Sequence, residues 1–196
     1  QNNLEHFIAV HEDVTAQKSA EEKALYLTNH DSLTGLPNRH FFEQHLQQLL
    51  TYSDPLVTQA VLVIDLDRFK DINDTMGHEA GDQLLIHTAA NLHKLINETH
   101  LLARLGGDEF AILIRKVASQ EQLTTFANTV MMAVTEPFSY ADSVFNITCS
   151  VGVATGNSTS SDASQMLRQA DMAMYRAKHA GKNTFRFFDE TMDALI

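Results

Sequence analysis

The sequence is poor in positive charge, in cysteine and in long apolar runs. Its 196 residues carry 14 lysines and arginines against 25 acids, which gives a net charge of −11. Because nucleic-acid phosphates are bound by clustered basic side chains, this balance argues against a nucleic-acid groove. It does not exclude a nucleotide triphosphate, since bound Mg²⁺ can offset the phosphate charge locally.

A single cysteine, Cys149, excludes an internal disulfide. Its alternating apolar surroundings are typical of a buried structural thiol, and a reducing compartment fits best. No run approaches the roughly 18 apolar residues that span a bilayer, and QNNLEHFIAV lacks the basic start and apolar core of a signal peptide. We therefore expect a cytoplasmic domain. The start without Met indicates a piece of a longer protein, and only unseen parts of that protein would bring it to a membrane.

Apolar runs and amphipathic patterns predict an α+β domain. They follow the order β-α-β-β-α-β after an initial helix, which implies a mostly antiparallel central sheet flanked by helices. The segment FKDINDTM is predicted to be a loop between the first strand and the next helix, and VFNITCSVGVAT is predicted to be one alternating strand. Ser119 and Gln122 form a capping-box pattern, and Gly181 is the predicted stop of the last long helix.

The first 29 residues predict a short strand, residues 6–11, and a helix that begins after Thr15. Apolar residues recur along this helix at every third or fourth position and form a narrow stripe. Such a stripe suits a signalling linker, but also a solvated helix that packs on the domain.

RLGGDEFAILI, residues 104–114, places two adjacent acids on a glycine pair. Alone it is consistent with a β-hairpin whose turn needs positive φ, or with a metal site at a strand end. Asp65 ends the buried strand Ala60–Ile64 and is expected beside Asp108 and Glu109. Three clustered carboxylates raise one another's pKa values, and Mg²⁺ relieves that repulsion. Asp67 either points away from Asp65 or lies past the end of the strand, and it is interpreted as structural.

Polar residues after this strand and near the C-terminus suit a nucleotide. Asn73 and Asp82 match the hydrogen-bonding edge of guanine, or are a turn residue and a first-turn helix acid. Lys178 and Lys182 are able to reach phosphates, or compensate a helix dipole.

Five segments in order resemble the GGDEF domain family, the bacterial diguanylate cyclases. They are DSLTGLPNR, DLDRFKDINDTMGHEAGD, RLGGDEF, SVGVAT and DMAMYRAKHAGKN, and they cover roughly residues 30–188. The resemblance implies a palm-like, ferredoxin-like fold related to nucleotidyl cyclases. It implies condensation of two GTP into cyclic di-GMP with release of two pyrophosphates, in a homodimer of two half-sites, each with two Mg²⁺ or Mn²⁺ ions.

The resemblance also implies roles for individual residues. The metal would be bound by Asp65, the backbone carbonyl of Leu66, Asp108 and Glu109. The catalytic candidates are Asp108 and Glu109, and Asp108 would be the base for the 3′-hydroxyl. The substrate-binding candidates are Phe69, Lys70, Asn73, His78, Asp82, Gly106, Gly107, Lys178 and Lys182. Lys182 stands where many members carry Arg, which keeps the charge and loses bidentate geometry.

The sequence departs from the family pattern at one site, and both flanking segments resemble other signalling domains. Many members carry an inhibitory Arg-x-x-Asp product site where this chain has Asn97 and His100, so no inhibitory site is expected. Residues 1–29 resemble the end of a PAS sensor domain with its exit helix. Residues 30–188 would form the GGDEF domain, and residues 189–196 resemble the join to an EAL domain. A non-catalytic GTP-binding regulatory module is the alternative function.

Overall fold

The central sheet is built from the strands that the apolar runs predict. The computed structural model describes residues 26–141, 143–159 and 162–195. The strands are β1 (Gln59–Leu66), β2 (His100–Gly106), β3 (Glu109–Ile114), β4 (Phe138–Tyr140), β5 (Ser143–Phe145), β6 (Cys149–Gly156) and β7 (Thr184–Phe187). Five of them form one sheet in the order β2-β3-β1-β6-β7, and only β6 and β7 in it are parallel. The predicted α+β fold with a mostly antiparallel sheet is confirmed.

Helices cover both faces of this sheet. They are α1 (Arg39–Tyr52), α2 (Phe69–Met76), α3 (His78–His93), α4 (Gln120–Val134) and α5 (Ala163–His179), followed by a 3₁₀ helix, Glu190–Leu195. All eight residues of β1 are buried, as expected for a strand covered on both sides. Leu62 and Ile64 pack in the core with α3 and α4, whereas Val61 and Val63 pack in the core with α1 and α5.

The predicted helix signals are confirmed at α4 and α5. The Ser119 side chain accepts a hydrogen bond from the backbone N–H of Gln122, and the Gln122 side chain accepts one from the backbone N–H of Ala118. The chain leaves α5 at Gly181, whose φ of +113° needs glycine. The end of α5, which carries Lys178, is thereby fixed.

Two local predictions were wrong. FKDINDTM is the helix α2 and not a loop: Arg68, at φ +61°, turns the chain sharply after β1, and Phe69 and Ile72, three apart on one helix face, pack against the core. VFNITCSVGVAT is not one strand, because its first part is β5, which pairs with β4 in a separate hairpin. The rings of Phe138 and Phe145 pack 6.3 Å apart between these strands.

The N-terminal predictions fall mostly outside the described residues. Of the predicted linker helix, residues 26–29 are helical; the preceding strand, Thr15 and the PAS-like segment are not among the described residues. The boundaries at residues 29 and 188 and the EAL-like join stay predictions. No helix in the described part of the chain is both long and apolar enough to cross a membrane.

Candidate active site

Two carboxylates face each other at one end of the sheet. Asp65, near the end of β1, lies directly opposite Glu109, the first residue of β3, in the antiparallel register. Directly opposed residues place their side chains on the same face of a sheet. The Lys178 ammonium, from the last turn of α5, lies 2.6 Å from Oδ2 of Asp65, and Asp65 itself is only 4 % exposed. Residues from three elements therefore meet here, as the sequence predicts for Asp65 and Glu109.

The electrostatics of this pair favour an additional cation. Burial raises the pKa of Asp65 to about 6; the hydrogen bond from Lys178 opposes this shift, and the negative charge of Asp108 adds to it. Burial and the charge of Asp171 raise the pKa of Glu109, and Arg39 partly opposes them. Lys178 and Arg39 therefore do not fully offset the cost of ionising these two carboxylates.

The carboxylate oxygens at this site are suitable ligands for a hard divalent cation. Carboxylate oxygens are the ligands that Mg²⁺ prefers, and Asp65, Asp108 and Glu109 lie within electrostatic reach of one another. Among the described residues, however, no group of three or more His, Cys, Asp or Glu side chains forms a preformed metal site. Asp65 and Glu109 are brought together, whereas Asp108 lies half-buried on the turn beside them.

The hairpin turn between β2 and β3 is built on two glycines with positive φ. Gly106 and Gly107 adopt φ values of +139° and +54°, and a Cβ on either glycine would meet no atom of the described residues within 4 Å. The backbone N–H of Leu66 donates to the Asp108 carbonyl at 3.3 Å. Because no described atom lies near a Cβ position of these two glycines, a ligand can approach the backbone closely at this turn.

An arginine that sequence analysis did not single out anchors this turn. Arg104 donates from Nε and Nη2 to the Gly107 carbonyl at 3.1 and 2.6 Å, and from Nη1 to Asp31 at 2.9 Å. Burial by itself would raise the pKa of Asp31. Hydrogen bonds from Thr34 and Arg104 outweigh this effect and hold the pKa of Asp31 below its ordinary value. The DSLTGLPNR segment thereby supports the hairpin from 73 residues away.

We expect Asp31→Asn to lower the free energy of unfolding by about 1–2 kcal/mol at pH 7. A carboxyl whose pKa is lowered on folding stabilises the protein above its unfolded pKa, and that stabilisation is lost as pH falls through the lowered value. The difference between the variant and the wild type should therefore shrink as the pH falls below the unfolded pKa of the carboxyl. Urea unfolding at pH 7 and near pH 3 measures it, and an undiminished difference in acid would contradict the role of the charged pair.

The residues predicted to read guanine lie on two consecutive helices. Asn73 is on α2 and half-buried, and Asp82 is on α3 and exposed. A Cβ on Gly81 would lie 2.0 Å from Oδ1 of Asn73 and 3.2 Å from Phe69, so the Asn73 side chain lies directly on this glycine. Gly81 was missed in the sequence, although a glycine inside an amphipathic helix is a signal of close packing.

Three further predicted nucleotide contacts are exposed. Lys70 and His78 are exposed, on α2 and at the start of α3. Lys182 is exposed at φ +64°, just after α5. The next residue, Asn183, donates its backbone N–H to Asp67. Their roles toward a nucleotide stay predictions.

Asp67 is structural, as predicted. Its carboxylate is 5 % exposed and accepts hydrogen bonds from the hydroxyls of Thr148 and Ser150. Together with the Asn183 N–H, these bonds tie the end of β1 to β6 and to the segment after α5. A buried acid with filled acceptors serves the fold.

The segment at the predicted inhibitory position carries no charge pair. Asn97 is exposed, and its side chain accepts hydrogen bonds from Thr99. His100 is half-buried with its ring 4.9 Å from that of Phe126, and burial lowers the pKa of His100. Positions 97 and 100 therefore offer neither an arginine nor a carboxylate.

Comparisons with known proteins place the fold among GGDEF domains. The chain belongs to the GGDEF family: the family model "Diguanylate cyclase, GGDEF domain" matches residues 28–184. The sequence-based family assignment is confirmed; the PAS-like tail lies outside this match.

Individual relatives carry different names. The chain is 40 % identical over 160 residues to the diguanylate cyclase TpbB of Pseudomonas aeruginosa, covering 81 % of this chain and 37 % of TpbB. It is 35 % identical over 184 residues to the cyclic di-GMP phosphodiesterase PdeR of Escherichia coli, covering 94 % of this chain and 28 % of PdeR. A structure of the GGDEF domain of TpbB matches with a TM-score of 0.80 at 38 % identity, covering 85 % of this chain and 98 % of that one. The chain thus spans well under half of these full-length relatives.

Proposed function

We propose that this domain is an active diguanylate cyclase, which condenses two GTP into cyclic di-GMP and releases two pyrophosphates. The observation that carries the proposal is the facing pair Asp65 and Glu109 at an open glycine turn, with Lys178 beside it, in a member of this family. No acid of the hairpin motif is replaced, so the residues for the reaction are present.

The proposed reaction requires two copies of the domain. GGDEF domains bind GTP and act as dimers. Each bound GTP supplies its 3′-hydroxyl to the α-phosphate of the other GTP; two new P–O bonds form as two bonds to pyrophosphate break, and two hydroxyl protons leave. The domain contributes mainly by positioning and by electrostatic stabilisation.

The residues of this chain divide the work. Asp65, the Leu66 carbonyl, Asp108 and Glu109 would hold two Mg²⁺ or Mn²⁺ ions per half-site. When bound, the metal supplies positive charge to the reacting phosphates and favours ionisation of the attacking hydroxyl. Asp108 accepts the proton of the 3′-hydroxyl, and Lys178 and Lys182 balance phosphate charge.

The open turn and α2–α3 bind the rest of the nucleotide. Gly106 and Gly107 let it approach the backbone. Asn73 and Asp82 pair with the guanine edge, because a carboxylate accepts two parallel N–H bonds that adenine does not offer. The remaining contacts come from Phe69, Lys70 and His78.

Gly81→Ala should raise the KM for GTP about tenfold or more without unfolding the protein. The added methyl group displaces the Asn73 side chain, which is able to rotate, while alanine gains up to about 1 kcal/mol over glycine inside a helix. Steady-state turnover and thermal unfolding measure both effects. Asn73→Ala alone and the double variant are the controls: the two changes should not add, and a wild-type KM in Gly81→Ala would contradict the placement of Asn73 against guanine.

Product inhibition through the Arg-x-x-Asp position should be absent or weak. Asn97 and His100 offer no ion pair for the product's phosphates or guanine. Titration of the protein with cyclic di-GMP tests this. Tight binding that Asn97→Ala abolishes would overturn it.

A regulatory module that binds GTP without turnover is the alternative, since relatives such as PdeR carry a phosphodiesterase name. Incubation of the purified chain with GTP and Mg²⁺ separates the two, with Asp108→Ala as the matched control. A cyclase forms cyclic di-GMP that this variant does not form. GTP binding without product at high protein concentration would favour the regulatory module.

A further inference from the structure

Asp171, in the middle of α5, has an unfilled carboxylate oxygen. Its Oδ1 is buried and has no hydrogen-bond partner in the described part of the chain. Burial raises the pKa of Asp171, and the charge of Arg39 opposes this. Asp171 and Glu109 line the same open cleft of about 880 Å³ beside the candidate active site. A buried acceptor without a partner calls for an explanation.

Arg39 is the first residue of α1. Its charge lowers the pKa of both Glu109 and Asp171, and its guanidinium contacts Glu109. Its Nη2 lies 3.4 Å from Oε2 of Glu109, and its Nε donates to the Leu105 carbonyl at 3.4 Å. A further contact, to Glu43, is 3.7 Å long. These contacts are long for charge-assisted hydrogen bonds, which are typically about 2.8 Å, and the side chain is 44 % exposed. Arg39 is therefore weakly held where it is.

We propose that Arg39 is a positioning residue with two alternative carboxylate partners: Glu109 while no metal is bound, and Asp171 once Glu109 binds the metal. The inference rests on the proposed function, because it requires Glu109 to be a metal ligand. A guanidinium next to a metal-bound carboxylate is repelled by the cation. Asp171 has a buried oxygen without a described partner and lines the same cleft as Glu109, which Arg39 contacts at 3.4 Å.

This exchange of partners predicts that each substitution changes the metal affinity in a different direction. Arg39 competes with the metal for Glu109, so Arg39→Gln should tighten metal binding. Asp171 draws Arg39 away from Glu109, so Asp171→Asn should weaken metal binding. Because Asp171 acts through Arg39, its substitution should have no effect once Arg39 is gone.

Mn²⁺ binding measures this directly. The free Mn²⁺ signal in electron paramagnetic resonance gives the Kd in the presence of a GTP analogue with a methylene group between the α- and β-phosphorus, which cannot react. We expect about a tenfold lower Kd for Arg39→Gln, about a tenfold higher Kd for Asp171→Asn, and the Arg39→Gln value for the double variant. Arg168→Gln removes an exposed arginine of α5 and should keep the wild-type Kd.

Three results would overturn the proposal. An Asp171→Asn effect that persists in the Arg39→Gln background means that Asp171 acts directly through its own charge. An unchanged Kd in Arg39→Gln, whose exposed side chain makes a folding defect unexpected, removes the competition. Absence of Mn²⁺ binding by the wild type would overturn both this inference and the proposed function, whereas Mn²⁺ binding that no variant shifts would overturn this inference alone.

Discussion

Asp65→Asn is expected to reduce cyclic di-GMP formation by at least about 100-fold and to leave the free energy of unfolding at pH 7 unchanged or higher. Asparagine keeps the shape of the side chain and removes its charge. Activity falls because the proposed metal loses a ligand and Lys178 loses its partner at 2.6 Å. Stability does not fall, because the folded protein disfavours the ionised Asp65 carboxylate.

The sign of the stability effect follows from the pKa of Asp65, which folding raises from 3.8 to about 6. A carboxyl with a raised pKa stabilises the fold fully below its unfolded pKa, and this contribution is lost as pH rises through the folded value. The stability of Asp65→Asn relative to wild type should therefore increase between about pH 4 and pH 6. Urea unfolding in the presence of a chelator measures it without metal.

Asp67→Asn is the matched control for this prediction. Asp67 is two residues away and equally buried, but its oxygens accept hydrogen bonds from Thr148, Ser150 and Asn183. Its substitution should cost about 1–3 kcal/mol of unfolding free energy, the reverse of the Asp65 result. The account fails if Asp65→Asn keeps more than about a tenth of wild-type turnover, since electrostatic groups at reacting phosphates contribute far more than that.

Gly152→Ala should be the most destabilising single substitution proposed here, at about 3 kcal/mol. Gly152 lies in β6 under α5, and a Cβ there would lie 2.0 Å from the Ala170 carbonyl oxygen and 2.2 Å from the Met174 nitrogen. These are backbone atoms, so α5 itself must move. The φ of Gly152 is not positive, so alanine even gains about 0.4–1 kcal/mol through the unfolded state, which the clash outweighs. Activity should fall as well, because α5 carries Lys178.

Ala170→Gly provides the control for this clash. Because the obstructing atoms are backbone, removing the Ala170 side chain cannot relieve them, and glycine inside a helix costs about 1 kcal/mol by itself. The double variant should therefore be less stable than Gly152→Ala. Recovery of stability in the double variant, measured by urea unfolding, would show that side-chain crowding and not backbone contact is responsible.

Local sequence patterns predicted the scaffold of the site well. The apolar run at Ala60–Ile64 predicts β1, the glycine pair predicts the hairpin turn, and pairing of the two strands brings Asp65 opposite Glu109. The position of Asp65 beside Glu109 is predictable because it depends only on where the two strands lie in the sequence and where the turn falls. FKDINDTM was misjudged because its helix depends on the left-handed Arg68 and on burial of Phe69 and Ile72 against distant strands.

The groups that support the site were not predictable from local pattern. Arg104 and Asp31 are 73 residues apart, and Arg39 and Glu109 are 70 apart. Neither pairing has a local signature, because each depends on how α1 and its preceding segment pack against the hairpin. The contact between Gly81 and Asn73 likewise requires the angle between α2 and α3, which the sequence does not show.

Turnover of GTP as a function of protein concentration tests the central claim most directly. The account predicts that the chain, with Mg²⁺, converts GTP to cyclic di-GMP and pyrophosphate at a rate that rises more steeply than linearly with protein concentration, because two half-sites must meet. Asp108→Ala should form no product at any concentration. Saturable GTP binding without cyclic di-GMP, even at the highest protein concentration, would contradict it.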